Sequence, residues 1–305
     1  MHPYAWLVTG LLLVSTAGPF IKLARMDAFA LVFLRLACAG PLFLAWAAAA
    51  GRPLALPREH RNRVLLGGVL LASHFLLWVK AFDLTSFASN LLLLIAQPVM
   101  AALIGSRIGE RPGRETWVAL AVALAGLALI AKGDVELGGR ALLGDLLSVL
   151  GGGAICLFYA VSRHARVALP IQTFMGWTLL TAAAAALPVA LLAGSEFGPI
   201  REPLSLMGWT PTPWLWLGGL VLVTTMGGHG SMNAAARGVR LFVVNMAIVL
   251  EPPLAVLLGV AFLGETVTAT QVVGGAVLAA AVWIALLPEW RSARGPAAPP
   301  GIRGE

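Results

Sequence analysis

The chain has 305 residues, of which 59% are hydrophobic and only 11% are charged. Because soluble proteins carry about 25% charged residues, this composition excludes a soluble domain large enough to carry the function. The formal net charge of +7 comes without a basic domain or aromatic residues interleaved with Lys and Arg, which excludes a nucleic-acid-binding module. We therefore predict an all-α integral membrane protein.

Uncharged apolar stretches recur along the chain, and a helix needs roughly 20 such residues to cross the hydrocarbon core. The stretches are apolar on every side, unlike the alternating strands of a membrane barrel. In chain order they predict ten transmembrane helices, spans one to ten, at residues 4–21, 28–50, 64–81, 84–106, 115–131, 142–162, 170–193, 213–236, 239–262 and 267–287. The first stretch lacks a basic n-region and a small-residue cleavage site, so we take it as a helix and not a removed signal.

The Lys and Arg residues that flank the spans indicate the orientation, because they are retained on the cytoplasmic side. With the N terminus inside, 14 of the 21 Lys and Arg residues fall in cytoplasmic segments and one, Arg35, lies within span two. The six in outer segments are Lys22, Arg25, Lys80, Lys132, Arg140 and Arg201. Ten is an even number, so both the N and C termini are predicted to be cytoplasmic.

The two halves of the chain are similar at a shift of about 155 residues. The stretch from Ala96, AQPVMAALIGSRIGERPGRETW, aligns with the stretch from Leu250, LEPPLAVLLGVAFLGETVTATQ. This alignment pairs Gln97 with Glu251, and His74 pairs with His229 upstream. The sequence therefore indicates an internal duplication.

The duplication divides the chain into a first five-helix repeat at residues 1–135, a second at 136–288, and a disordered cytoplasmic tail at 289–305. Because five is odd, the second repeat enters the membrane from the opposite side, and the two form an inverted repeat. Secondary transporters use this architecture to expose one central site alternately to each side. Duplication also produces membrane proteins that do not transport, which leaves a non-transporting sensor as an alternative.

Several local features resemble the EamA-type ten-helix members of the drug/metabolite transporter superfamily, over both halves of the chain. They are S-T-A-G-P-F-I-K from Ser15 to Lys22, Leu34-Arg35 in span two, Leu84-Thr85-Ser86 followed by Ala88 at span four, the Pro in spans four and nine, and the two Gly-Glu pairs. The resemblance implies export of small metabolites, often amino acids, driven by an ion gradient or by exchange.

A carboxyl group within a span marks one candidate site residue, since a charge in hydrocarbon costs roughly 2.5 kcal/mol or more and normally faces protein or a wet cavity. Glu251 is placed midway in span nine beside Pro252 and Pro253, which loosen the helix. A buried carboxyl group can couple transport to protons, whereas a structural carboxylate at the proline break is the other interpretation. Gln97 can form hydrogen bonds but cannot titrate, so any proton site lies in one half.

His74 and His229 occupy matched positions in spans three and eight, and imidazole titrates near neutrality. Both are predicted to line a central cavity, and a hydrogen-bonded core histidine is the structural alternative for each. Trp78 and Asn233 follow them by one turn on the same helix faces. The remaining candidates, which packing would also explain, are Asn90, Tyr159, Ser231 and Asn245.

These residues together predict an amphipathic pocket, with aromatic surface for the body of a solute and amides for its polar ends. We predict no catalytic residue, no cofactor and no metal, because five His and two separate Cys offer no ligand spacing. The long stem of Arg35 is expected to carry its guanidinium to the outer interface, with binding of a substrate carboxylate as the alternative. Gly227, Gly228 and Gly230 suit either close helix packing or a flexible gate beside His229.

An intramembrane enzyme is the principal alternative class, but the sequence has no nucleophile elbow or paired-Asp protease signature. A channel is disfavoured because rings of like charge and a filter repeat are absent from the sequence. We therefore predict a multi-pass secondary transporter, and not an enzyme, in the bacterial cytoplasmic (inner) membrane. Its predicted partners are a small-molecule substrate, protons or a counter-transported solute, the lipid bilayer and, in a homodimer, a second copy, but no nucleic acid.

Overall fold

The computed structural model of the chain describes residues 2–95, 97, 100, 104, 113–135, 139–204, 210–239, 244, 247–248, 250–264 and 266–294. Regular structure within these residues is helical, apart from one isolated bridge between Met26 and Pro199. The predicted all-α class is therefore confirmed for the described chain, and its apolar helices make it a multi-pass membrane protein.

The helices of the first half follow the predicted spans. They are α1 (Pro3–Val14), α2 (Ala17–Ala24), α3 (Ala28–Ala49), α4 (Arg58–Ala81), α5 (Phe87–Leu92, continued by a 3-10 turn at Leu93–Ile95) and α6 (Arg114–Val135). Helices α1 and α2 form span one together and are interrupted at Ser15 and Thr16. The two hydroxyl groups donate to the carbonyls of Leu11 (2.8 Å) and Leu13 (2.7 Å). Pro19 has no amide proton for the Ser15 carbonyl, which accounts for the interruption of span one at this point.

The second half contains a helical stretch of unusual geometry. Its elements are α7 (Gly139–Ala168), α8 (Ile171–Leu192), α9 (Pro213–Gly219), a π-helical segment (Leu220–His229), α10 (Gly230–Ala235), α11 (Glu251–Leu263) and α12 (Ala269–Arg294). Helix α9, the π-helical segment and α10 run on from one another and form span eight. The Thr16 hydroxyl at the break of span one lies 2.8 Å from the Thr224 hydroxyl of the π-helical segment, so two irregular helices meet there.

The last helix is longer than the sequence predicts. It continues to Arg294, so the expectation of a disordered tail is wrong for residues 289–294. Glu and Arg are good helix formers, and each further residue adds a backbone hydrogen bond, so the helix propagates beyond the apolar segment. Residues 295–305 lie outside the described residues.

Five helical segments of the described chain are long and apolar enough to cross a membrane. They are Pro3–Ala24, Ala28–Ala49, Arg58–Ala81, Gly139–Ala168 and Ile171–Leu192. The other predicted spans correspond to α5, α6, the stretch from α9 to α10, α11 and α12. The total of ten spans and the cytoplasmic position of both termini remain predictions.

The principal helix contacts relate the two halves to each other. Three of them join corresponding spans: α3 with α8 (spans two and seven), α6 with α12 (spans five and ten) and α5 with α11 (spans four and nine). The contact between α4 and α7 (spans three and six) has its counterpart between α1 and span eight. Exchange of each helix for its equivalent in the other half leaves this set of contacts unchanged.

Glycines set the close approach of α1 to span eight. A Cβ atom on Gly228 would lie 2.8 Å from Val14 Cγ1 and 2.9 Å from the Val14 nitrogen, and one on Gly10 would lie 2.9 Å from the Met232 nitrogen. A side chain at either position would therefore collide with backbone. Close helix packing, one of the two alternatives for the glycines around His229, is thus what Gly228 provides.

Candidate functional site

Six of the ten predicted site residues line one small cavity between the two halves, the central cavity, with a volume of about 30 Å³. They are His74, Trp78, Gln97, Tyr159, His229 and Glu251. Apolar residues complete the lining, namely Val14, Ala17, Leu94, Ile155, Met232 and Ile248. The lining comes from spans one, three and four and from their counterparts six, eight and nine, so each half supplies an equivalent wall.

His74 is held by a hydrogen bond across the contact between α4 and α7. Its Nδ1 donates to the carbonyl oxygen of Gly151 at 2.9 Å, which fixes the orientation of the ring. The Trp78 ring stacks on the imidazole at 5.9 Å between centroids and 8° between planes. Gly151 permits this approach, since a Cβ atom there would lie 3.3 Å from the backbone of both His74 and Trp78.

His229 lies at the end of the π-helical segment and is held differently. Its ring contacts the Phe75 ring edge to face, with centroids 5.2 Å apart, and it forms no hydrogen bond to another described residue. The Asn233 amide donates to the His229 carbonyl oxygen at 2.9 Å, one turn away on the same helix. Asn233 therefore supports span eight and does not line the cavity.

Gln97 and Glu251, the matched pair of spans four and nine, both lie on the central cavity. Gln97 is 2% exposed, and its Oε1 has no hydrogen-bond partner among the described residues. Glu251 is 7% exposed and is the first residue of α11, with Pro252 and Pro253 in the first turn. Prolines in the first turn sacrifice no hydrogen bond of α11, and Leu250 just before it is a turn, so the expectation that they loosen span nine stays a prediction.

Arg35 lies buried beside this site and does not reach the outer interface, so the expected orientation is wrong. The side chain is 1% exposed, its Nε donates to the Thr225 hydroxyl at 2.6 Å, and its guanidinium lies 4.2 Å from the centre of the Phe75 ring. Thr225 in turn donates to the Leu220 carbonyl within the π-helical segment at 2.6 Å. These contacts hold the head group inward, against the π-helical segment.

The other predicted residues that the structure describes do not line the central cavity. Asn90 braces three helices, because its amide donates to the Trp78 carbonyl at 3.1 Å and its Oδ1 accepts from the Ser148 hydroxyl. Ser231 lines a separate, mainly apolar cavity of about 310 Å³ together with Trp6, Phe43 and Trp46. Asn245 lies outside the described residues.

The central cavity offers hydrogen-bonding groups within an apolar surround. Trp78 Nε1 and Gln97 Oε1 are buried without a partner in the described chain, one a donor and the other an acceptor. The volume of about 30 Å³ admits water but is far below the roughly 300 Å³ of a small-molecule site. The cavity is therefore too small to hold a metabolite in this conformation. No cluster of potential metal ligands occurs in the part of the chain that the structure describes.

Comparison with known proteins places this geometry in a family. The sequence profile of the EamA-like transporter family matches residues 2–132 and, separately, residues 142–287. An uncharacterized transporter of Archaeoglobus fulgidus is 29% identical over 290 residues, which cover 94% of this chain and 96% of that protein. A protein of known crystal structure shares the fold with a TM-score of 0.71 and 20% identity, over 95% of this chain and 98% of that one. The chain belongs to the EamA-like transporter family of the drug/metabolite transporter superfamily, and it is a membrane transporter.

Proposed function

We propose that the protein is a secondary transporter that exports a small metabolite by alternating access through the central cavity. The observation that carries the proposal is the composition of that cavity. Its polar groups come in matched pairs, His74 with His229 and Gln97 with Glu251, from equivalent spans of the two halves. A site shared equally by two halves is what a carrier needs to open alternately to either side.

Two further observations support an inverted pair of five-helix repeats, at residues 1–135 and 136–288. The helix contacts are unchanged when the halves are exchanged, and the family profile matches each half separately. Five predicted spans in a repeat require the second repeat to cross the membrane in the opposite sense. Both termini are then cytoplasmic, and we place the protein in a bacterial inner membrane as a monomer or homodimer.

The irregular helices support movement around the cavity. Span one is broken at Ser15 and Thr16, and span eight is π-helical up to His229. Transporters place discontinuous helices near their binding sites, and π-helical turns are frequent at functional sites. The helices that must separate to admit a solute are therefore those with the least regular backbone hydrogen bonding.

The lining favours a small amphipathic solute such as an amino acid. Trp78 and Tyr159 offer aromatic surface, while Gln97, His74 and Glu251 offer polar groups of several kinds. Glu251 is the group we assign to coupling, because a carboxyl group that faces a cavity can take up a proton from one side and release it to the other. Exchange against a counter-transported solute is the alternative driving process.

Counterflow in proteoliposomes tests the proposal. Vesicles are loaded with one unlabelled amino acid or small metabolite at a time, and entry of the labelled solute is followed with and without a pH gradient. A carrier accumulates label transiently by exchange, a channel passes it linearly, and an enzyme converts it. Linear flux or product formation contradicts the proposal, as does the absence of exchange across a broad metabolite panel when the protein is folded.

A further inference from the structure

A third and larger cavity opens at one end of the helix bundle. Its volume is about 690 Å³. We call it the basic vestibule after the five cationic side chains that line it, Lys22, Arg25, Lys80, Arg140 and Arg201. They come from α2, the connection that follows it, the end of α4, the start of α7 and the connection between α8 and α9.

The vestibule carries an excess of positive charge. Only two acidic residues, Asp27 and Asp83, are among its described lining residues, against five basic ones. Asp27 is engaged as the N-cap of α3, where it accepts from the amides of Phe29 (3.0 Å) and Ala30 (3.1 Å). Asp83 accepts from the Lys80 ammonium at 2.8 Å. Both acidic groups thus have local partners, and the other four cations have no carboxylate partner among the described residues.

Helix ends account for only part of this charge. Lys22 and Lys80 lie in the last turns of α2 and α4, where a cation is stabilised by the carbonyl end of the helix. Arg140 lies in the first turn of α7, where the helix dipole disfavours a cation. Arg25 and Arg201 lie outside helices. Three of the five charges therefore need another explanation.

The walls of the vestibule are joined by contacts between its connections. The Arg25 Nε donates to the Glu202 carbonyl at 3.1 Å, and the Ile200 amide donates to the Arg25 carbonyl at 2.9 Å. Arg140 reaches across to the Asp83 carbonyl at 3.3 Å. The cations are thereby held around one space rather than spread over the surface.

The predicted topology makes the cluster more unusual. Basic residues are disfavoured on the outer side of the membrane, and the sequence places only six there. Five of these six line the basic vestibule. Because the outer side otherwise has few cations, their concentration in one cavity indicates that they serve to bind a ligand.

The basic vestibule and the central cavity are adjacent along α4. Phe82 lines the vestibule and Trp78 lines the central cavity, and their rings are in edge-to-face contact at 5.1 Å. Phe87 packs on the other side of Phe82 at 5.5 Å. A short aromatic partition therefore separates the two spaces.

We propose that the basic vestibule is an anion-binding site for the carboxylate or phosphate group of a small solute, at the outer end of the transport pathway. Its volume of about 690 Å³ lies within the range of small-molecule sites. Arginine guanidinium groups bind both kinds of anion through paired hydrogen bonds. The use of this site in transport rests on the proposed function, whereas its anion binding does not. The substrate class that follows is an anionic metabolite.

Binding is measured on the purified full chain in uncharged detergent at low ionic strength, by calorimetry. The probes are inorganic phosphate, succinate and, as the uncharged analogue of succinate, succinamide. The wild-type chain is expected to bind phosphate and succinate but not succinamide. The triple variant Lys22→Gln, Arg140→Gln, Arg201→Gln is expected to bind about ten- to a hundredfold more weakly, since it removes three of the five cations that line the vestibule.

A matched triple variant removes three exposed arginines at the opposite end of α4, Arg58→Gln, Arg61→Gln, Arg63→Gln. It has the same change in net charge but leaves the vestibule intact, so it should bind the anions as the wild type does. Equal binding by both triple variants, or equal binding of succinate and succinamide by the wild type, overturns the proposal. The single variant Arg201→Gln, on an exposed connection, repeats the test if the vestibule triple does not fold.

A second experiment, in nanodiscs, distinguishes a lipid phosphate from a soluble anion as the bound group. Phosphatidylglycerol that abolishes succinate binding identifies a lipid headgroup as the bound anion, and unchanged binding identifies a soluble one. Both outcomes support the anion site. Vestibule and carrier proposals fail separately: anion binding without counterflow contradicts transport alone, while counterflow without anion binding contradicts the vestibule alone.

Discussion

The two walls of the central cavity are related in position but differ in how their polar groups are held. In the first half, α4 is a regular helix and the His74 ring is hydrogen-bonded to Gly151. In the second half, span eight is π-helical and His229 has only ring contacts among the described residues. Gln97 in the first wall is replaced by Glu251 in the second. The two halves keep equivalent positions for these site residues, whereas the residue types and their hydrogen bonds differ.

We infer from this difference that the two walls of the central cavity have separate roles in transport. Arg35 of α3 is buried beside the second wall, where the Thr225 hydroxyl links it to the π-helical segment, and Glu251 lies at the start of α11. The first wall has an amide where the second has a carboxyl group. We therefore expect solute positioning to depend on both walls and ion coupling to depend on the second.

The largest expected effect follows from Glu251→Gln. Uptake driven by a pH gradient should fall below about 1% of the wild-type rate, because an amide cannot take up and release a proton. Counterflow without a gradient should persist, since the amide retains the shape of the side chain. Both rates are measured in the same proteoliposomes, with Glu59→Gln on the exposed start of α4 as the control. Unchanged gradient-driven uptake would remove Glu251 from coupling.

The swapped variant Gln97→Glu, Glu251→Gln tests the asymmetry directly. It moves the carboxyl group to the equivalent position of the first wall and keeps the composition of the cavity. We expect it to remain uncoupled, because Arg35 and Thr225 stay with the second wall. Recovery of gradient-driven uptake would show that the two walls are interchangeable.

The next effect concerns Arg35→Met. Transport should fall about tenfold or more, because Thr225 of the π-helical segment loses its hydrogen bond from the guanidinium and the site loses a buried cation. A factor of ten in rate corresponds to about 1.4 kcal/mol. The chain should still fold, since Met supplies an unbranched apolar side chain and removes two buried nitrogen atoms without partners in the described residues.

A double-mutant cycle that combines Arg35→Met with Glu251→Gln tests whether the two residues act together in transport. Coupled residues deviate from additivity by about 0.5–3 kcal/mol. The cycle is applied to counterflow rates, which both single variants should retain at measurable levels. Additive effects would mean that Arg35 acts on span eight alone.

A smaller effect is expected from Gly228→Ala, where span eight crosses α1. The new methyl group would lie 2.9 Å from the Val14 nitrogen, and overpacking of this kind costs about 1–3 kcal/mol of stability. Gly218→Ala, in α9, meets nothing within 4 Å and should stabilise the helix by about 0.5–1 kcal/mol. Gly151→Ala, with its nearest atoms at 3.3 Å, should fall between them. Thermal unfolding in detergent ranks the three, and equal melting temperatures would contradict the packing.

The smallest effect distinguishes Asn90, which supports helix packing, from Gln97, which lines the central cavity. Asn90→Ala should lower stability by about 1–2 kcal/mol through the loss of its buried hydrogen bonds, with little change in the KM for the transported solute. Gln97→Ala, at a residue that lines the cavity, should raise KM with less effect on unfolding. A raised KM for Asn90→Ala would return Asn90 to the binding site.

Most helix positions and the two matched pairs of polar site residues were predictable from the sequence alone. Apolar stretches predicted most helix positions, because hydrocarbon tolerates only helices whose backbone groups are bonded internally. The internal alignment paired His74 with His229 and Gln97 with Glu251 before any contact was known. Equivalent residues of a duplicated chain meet when the halves pack symmetrically, so these four converge on the central cavity.

The direction of individual side chains was not predictable in the same way. Asn90 and Asn233 are polar residues in spans, as the lining residues are, yet each bonds to a backbone carbonyl nearby. Ser231 lies two residues from His229 and lines another cavity. Which face of a helix meets the partner half depends on helix rotation, and close contacts such as Gly228 on Val14 set that rotation.

The sequence by itself determined the class of the protein, its division into two related halves and the matched polar pairs, since these depend on composition and order along one chain. Only the tertiary structure decided the burial of Arg35, whose partner Thr225 is 190 residues away, and the gathering of five cations into one vestibule. Both depend on contacts between segments that are distant in the chain. A local pattern of hydropathy carries no information about such contacts.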